Sequence, residues 1–290
     1  AGVDPVELFT AANMTDIRDV VLLGERGPTT PADAEGCSAV LLPKTWTAPG
    51  RVLAGQTWDL NPEDLDYVVA VHRQPDTGPA TWSVTVAGAP SLVGMNDRGL
   101  CVGTTNIKTW GSRVGVGYMN VLHRALNQPD FAAAAAIIEE APRAGAHVFW
   151  LADEARFVEW ETTPSGFVWR GDGDGPIART NHCLAESHRP LQGEPASPSS
   201  LARLARMEDW LQAQGRSLDD LRTLFSSRED GVDSINRRPE DEQGTATNSV
   251  VLFDPANRRL QACRGPADRG QWQDLHFEFE PATTPADSAM

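Results

Sequence analysis

The sequence predicts an α+β fold, and three observations predict it. Residues 37–105 read as consecutive short strands, the middle of the chain switches to helical spacing, and strand character returns near the end. The strands are separated by Pro, Gly and Asn-Asp, which suits hairpins and hence an antiparallel sheet. Composition supplies the material: of 290 residues, 40% are hydrophobic and 22% charged, enough for a core of one large domain or two small ones.

The elements follow in order. Pro5 to Val21 carries a partial apolar face of Val6, Leu8, Phe9 and Ile17, which predicts a short helix and its exit. These apolar side chains, with Val20 and Val21, are expected to bury against the rest of the protein. The next stretch, GERGPTTPADAEG, is rich in Gly, Pro, Thr and acid and predicts a loop or exposed linker. It ends at Gly36–Cys37, where the apolar run SAVLLP begins abruptly. RVLAGQTW, DYVVAVHR, TWSVTVAG and LCVGTTN continue the strand series. Tyr118–Leu126 and Phe131–Glu140 carry helical spacing, with Asp130 as N-cap and Pro142 as a stop. HVFWLAD and ARFVEWET then form a hairpin through Asp153-Glu154. A polar loop over 185–200 leads into SLARLARMEDWLQAQ, a helix with Leu201, Leu204, Met207 and Leu211 on one stripe. A helix at Leu218–Phe225, capped by Ser217, precedes a closing hairpin of NSVVLFD and RRLQACRG. The tail over 281–290 is expected to be disordered.

Charge and cysteine usage narrow the function classes. Lys and Arg number 25 against 40 Asp and Glu, a net charge of −15. That balance argues against a nucleic-acid partner and against a basic membrane anchor. No apolar run reaches 18 residues, so no membrane-spanning helix is expected. Cys37, Cys101, Cys183 and Cys263 are too few and too far apart for a disulfide scaffold, and no CxxC pair marks a zinc site. No metal is therefore expected, His182 beside Cys183 being the one pairing of ligand types. The start of the chain lacks the basic and apolar blocks of a signal peptide, so a cytoplasmic location is the expectation, with a removed leader still compatible.

Cys37 stands out by its setting. A thiol that follows Gly36 at the junction of a loop and a strand can reach the preceding carbonyl through a small ring, an N-to-S acyl shift. Hydrolysis then frees an N-terminal cysteine whose α-amine, with a reference pKa of about 7.7–8.0, can act as base for its own thiol. The bland reading is a small buried hydrophobe, which fits Cys101 and Cys263 inside apolar strands.

GCSAVLLP followed by GQTWDL resembles the opening of the penicillin (isopenicillin N) acyltransferase family of N-terminal-nucleophile hydrolases, relatives of the choloylglycine hydrolases. SLVGMNDRGLCVGTTN, VGYMNVLHRALNQ, HVFWLADEARFVEWE and ARTNH follow in that family's order. The resemblance implies a four-layer αββα sandwich for residues 37–280, with residues 1–36 released or retained as a small subunit after self-cleavage between Gly36 and Cys37. It also implies roles. Cys37 is similar to the self-processing nucleophile, and Asp59 to the carboxylate that holds the new α-amine or thiol. Asn181 resembles the asparagine that donates to the oxyanion, and Asn106 a second asparagine lining the site. Arg203 occupies the place of a supporting arginine, although a solvated helix surface is the expectation for both Arg203 and Arg206. His182 is expected to be structural. Gln56 stands where choloylglycine hydrolases have an arginine, the pattern of the acyltransferase branch.

The implied enzyme cleaves or transfers the acyl group of a small N-acyl amide or thioester through a thioacyl-enzyme. Acyl-CoA would be a co-substrate, no cofactor is needed, and the cleaved N-terminal segment is a partner. The alternatives are a metal-dependent amidohydrolase and a non-catalytic relative in which Cys37 is merely buried.

Overall fold

The structure, a computed structural model, describes residues 2–27, 36–171, 173 and 175–277. The expected tail and the centre of the acidic linker lie outside the described residues. In β1 (Gly36–Leu42) alternate side chains face opposite ways, as a strand requires. Cys37, Ala39 and Leu41 join one apolar cluster, while Val40 and Leu42 join a second. A strand buried on both faces reads as an unbroken apolar run, which is why SAVLLP is conspicuous in the sequence.

Two antiparallel sheets carry the molecule. One has six strands in the order β10 (Ile177–Arg179), β1, β2 (Leu53–Leu60), β11 (Ala246–Asp254), β12 (Arg259–Arg264), β13 (Gln271–Leu275). The other has seven in sequence order: β3 (Val68–Arg73), β4 (Thr81–Val86), β5 (Val93–Asn96), β6 (Cys101–Asn106), β7 (His147–Ala152), β8 (Phe157–Thr163) and β9 (Gly166–Gly171). Helices α3 (Tyr118–Leu126) and α4 (Phe131–Glu140) pack on β5, β6 and β7. Helices α5 (Pro198–Trp210) and α6 (Leu218–Phe225) pack on β1, β2, β10 and β11. β1 meets β6 between the sheets, so the layers run helix, sheet, sheet, helix. Gln56 ties the two sheets together: its Oε1 accepts from Thr104 N at 2.9 Å and from Trp150 Nε1 at 2.7 Å. No helix among the described residues is long and apolar enough to cross a membrane.

Helix ends follow their caps. Asp130 accepts from Ala133 N, and Ser217 forms a capping box with Asp220, both at the positions the sequence marks. α5 begins two residues earlier than the expected helix, because Ser197 caps it and Pro198 opens it, and it ends at Trp210. Leu201 is exposed, not part of the buried stripe. Arg203 is fully buried instead, which corrects its expected solvated position, whereas Arg206 does lie outward, paired with Glu229 and Asp230. β9 and β13 escape the sequence reading. As edge strands they present mostly exposed or half-buried residues and show no clean alternation.

The N-terminal segment departs most from expectation. It forms two helices, α1 (Pro5–Ala12) and α2 (Met14–Leu23), that meet at Asn13. Val6, Phe9 and Val21 are 70%, 63% and 73% exposed, so they do not anchor it. The buried face of α2 is a polar stripe of Asn13, Asp16 and Asp19, ending in Leu23. That inversion has a physical cause in the surface it meets. The N-terminus of α3 offers free N–H groups, and Asp16 Oδ2 accepts from Tyr118 N at 3.1 Å while Asn13 Oδ1 accepts from Asn120 Nδ2 at 3.0 Å. Gly117 permits this approach, because a Cβ there would meet Asn13 Oδ1 and Asp16 Oδ2. Leu23 O accepts from the N–H groups of Gly111 and Ser112. In chains cut after Gly36, Asp16→Ala is expected to weaken retention of this segment by about 1–3 kcal/mol, since it removes the buried carboxylate that accepts from Tyr118 N. Native mass spectrometry of such chains reads the change as a larger free fraction of the short piece. Equal retention in both proteins would assign the grip elsewhere.

Candidate active site

The ends of four strands and one helix converge on Cys37. β1 begins beside the end of β2, so Gly36 lies opposite Asp59 and Cys37 opposite Trp58. β11 flanks β2 on the other side and sets Thr247 against Asp59. β6 ends in Asn106, and the turn after β10 places Asn181. Cys37 N donates to Asn181 Oδ1 at 2.8 Å, and Asn181 Nδ2 donates to Asn106 O at 2.9 Å. Arg203 reaches in from α5. Its Nη1 donates to Cys37 O and to Ser38 Oγ, and its Nη2 to Asn181 Oδ1 at 2.9 Å. The peptide units on both sides of Cys37 are thus gripped by one carboxamide and one guanidinium.

Asp59 is 1% exposed. Its Oδ1 accepts from Thr247 Oγ1 at 2.7 Å, and its Oδ2 lies 3.9 Å from Arg237 Nε. Burial raises its pKa above the usual carboxylate value, and Arg237 and Arg203 offset that only in part. Arg237 is a residue that sequence reasoning missed. It sits between α6 and β11, donates to Thr245 Oγ1 and Ser199 Oγ, and packs against Gly36. A Cβ at Gly36 would fall 2.9 Å from Arg237 Nη1, so a larger residue there would have to displace that guanidinium. The one signal available was a pair of arginines, Arg237 and Arg238, just before a buried strand.

The other expected residues fall as follows. His182 is held in the interior by Ser200 Oγ, 2.8 Å from its Nδ1, away from the thiol. Behind Asn181, Arg179 pairs with Glu159 at 2.5 Å and Glu161 at 2.8 Å, and Glu161 also accepts from the N–H groups of Leu184 and Ala185. This buried network fixes the turn that aims Asn181. Arg203 does not line the cavity, so its contacts with Cys37 and Asn181 give it a positioning part. Gln56 lies between the sheets and does not line the cavity either. No group of three His, Cys, Asp or Glu side chains among the described residues is placed to hold a metal ion.

A cavity of about 250 Å³ opens at Cys37. Its walls come from the end of β2 (Trp58, Asp59), from Thr104 and Asn106, from Leu92, Tyr118 and Met119, and from Leu8, Met14 and Thr15 of the N-terminal segment. The thiol is held in its protonated form. Burial pushes its pKa up to about 12, Asp59 adds to the rise, and Arg203 with the N–H groups of Asp59 and Asn106 oppose it. The other three cysteines are buried and raised as well. The uncut native chain is therefore expected to resist iodoacetamide at pH 7, Cys37 reacting roughly 1,000-fold more slowly than an ordinary thiol. Labelling should rise as the pH approaches the thiol's raised value. Peptide mapping at pH 7 and 9.5 checks this; fast labelling of Cys37 at pH 7 in uncut chain would contradict it.

The fold has counterparts among known proteins. Residues 46–269 match the family described as acyl-coenzyme A:6-aminopenicillanic acid acyl-transferase, a match that starts beyond Cys37. A variant of conjugated bile acid hydrolase from Clostridium perfringens superposes with a TM-score of 0.56 at 11% identity, over 87% of this chain and 100% of that one. Penicillin V acylase from Agrobacterium tumefaciens gives 0.53 at 12% identity, over 82% of this chain and 86% of that one. At such identities the likeness speaks for the fold, the αββα sandwich of N-terminal-nucleophile hydrolases. With more than half of its length matched, the chain belongs to the acyl-coenzyme A:6-aminopenicillanic acid acyl-transferase family.

Proposed function

We propose that the protein is a self-processing cysteine enzyme that cleaves or transfers the acyl group of a small N-acyl amide or acyl thioester. The observation that carries this reading is the grip on Cys37: Asn181 on its N–H, Arg203 on its carbonyl, and Asp59 and Asn106 N–H groups against its thiol, at the mouth of a cavity. In processing, Cys37 Sγ attacks the Gly36 carbonyl carbon, the Gly36–Cys37 C–N bond breaks, and the nitrogen takes up a proton as the new α-amine. Water then hydrolyses the thioester, freeing the Gly36 carboxylate and the thiol. Holding the carbonyl and thiol in one frame supplies much of the rate.

In turnover the α-amine accepts the thiol proton and the thiolate adds to the substrate carbonyl. The amine leaves carrying that proton, and water or an acceptor amine resolves the thioacyl-enzyme. Asn181, with one Nδ2 hydrogen on Asn106 O and a second to give, supports the developing oxyanion. The test is a panel of N-acyl amides and acyl thioesters offered to processed protein, with rapid quench and intact mass to trap the acyl group on Cys37. An acylated Cys37 that forms and decays at the turnover rate supports the reading. Turnover retained in Cys37→Ala would overturn it.

A further inference from the structure

Among the walls of the cavity beside Cys37 is an imidazole that the proposed reaction does not use. His147 opens β7 directly across from Asn106 at the end of β6. Cross-strand partners project to one face of a sheet with Cβ atoms about 4.5–5.5 Å apart, so His147 stands next to the residue whose N–H faces the thiol. The ring lines the cavity, is 2% exposed, and stacks on Tyr118 at 4.1 Å between centroids. Neither ring nitrogen has a hydrogen-bond partner among the described residues. Asp16 Oδ1, 3.7 Å from His147 Nε2, has none either. Buried polar atoms are nearly always satisfied; Nε2 faces Asp16 Oδ1 across 3.7 Å, which leaves Nδ1 as the ring atom whose contact a bound molecule can supply.

Charge says what kind. The charged groups that line the cavity are Asp59 and Asp64, and no Lys or Arg is among its walls. We infer that His147, backed by Asp16 of the N-terminal segment, is a recognition point for a hydrogen-bond donor on the substrate, an ammonium or a hydroxyl. The inference rests on the acyl chemistry proposed at Cys37 and refines its substrate class to an N-acyl amide whose cavity-filling chain ends in a donor. The methylene part of such a chain fits against Leu8, Met14, Leu92 and Met119. The end of the chain meets a ring that its stack on Tyr118 keeps from turning away. A carboxylate in the same place would stand beside Asp16 in a site with little water to screen it, so it is excluded. Because Asp16 belongs to residues 1–36, the preference depends on a segment that lies outside the matched family region.

The probes are the 4-nitroanilides of hexanoic, 6-hydroxyhexanoic, 6-aminohexanoic and adipic acids, which differ only in the far end. Calorimetry on Cys37→Ala, produced as separate chains of residues 1–36 and 37–290 because this variant does not cut itself, measures binding without chemistry, and release of nitroaniline by the processed wild type measures turnover. The hydroxyl- and ammonium-ended amides are expected to bind about 10-fold or more tightly than the methyl-ended one, with the carboxylate weakest. His147→Phe in the same background keeps the stack on Tyr118 and should bring the donor-ended and methyl-ended amides within about 2-fold of each other. Asp16→Asn keeps an acceptor for Tyr118 N–H, removes the charge, and should erase the ammonium advantage while sparing the hydroxyl. Equal binding of all four amides, a preference for the methyl end, or a donor preference that survives His147→Phe overturns the inference. Failure of the acyl-transfer reading looks different: the donor preference appears in binding, yet no amide is cleaved and no acyl group is found on Cys37.

Discussion

Asn181→Ala is expected to lower turnover of a reporter amide by about 100- to 1,000-fold, the usual cost of removing one oxyanion donor. Its position in the uncut chain adds a second effect. Asn181 Oδ1 accepts from both Cys37 N and Arg203 Nη2, so alanine also loosens the junction that must be cut. Cleavage should persist, because the Gly36 carbonyl is delivered by the chain itself, but at a reduced rate. Following both reactions in one fold-checked preparation separates the roles. Wild-type turnover by Asn181→Ala would leave the residue as a clamp on the backbone and nothing more.

Asp59→Asn should slow both steps, by about 100- to 10,000-fold, the range over which a positioned acid or base acts. The replacement keeps an acceptor for Thr247 Oγ1 and the volume of the side chain, so the sheet edge survives. What it removes is a buried carboxylate that takes the thiol proton in cleavage and, in turnover, holds in place the α-amine that acts as base. Because burial raises the Asp59 pKa, the carboxylate forms only at a pH above its ordinary range, and the cleavage rate should climb as the pH rises through that value. In Asp59→Asn that rising limb should vanish. An unchanged pH profile would show that Asp59 only balances the charges of Arg203 and Arg237.

Much of the fold was legible because its central strands advertise themselves. β1 and β11 are buried along their whole length and carry the apolar runs AVLL and VVLF, and the caps at Asp130 and Ser217 announce their helices. At the candidate site, Gly36–Cys37 stood out by its junction, whereas Asp59 and Asn181 were pointed to only by the family resemblance; the structure brings them together around Cys37. Sequence periodicity failed where a polar group is the buried one. Arg203 and the Asn13–Asp16–Asp19 stripe face inward because their partners are backbone carbonyls, helix N–H groups and carboxamides, which hydrophobic spacing does not record. Arg237 and His147 were silent for a related reason. Each reaches the site only through sheet pairing or loop packing far from Cys37 in sequence, and no local pattern carries that information.

The central claim is that Cys37 becomes the N-terminus, and intact mass measures it most directly. Wild-type protein, held folded until its mass stops changing, is compared with Cys37→Ala treated identically. The account predicts a fragment of 290 − 36 = 254 residues that begins at Cys37, present in the wild type and absent from the variant. A wild-type chain that stays at 290 residues under every folding condition, or a cut at any other bond, would contradict it.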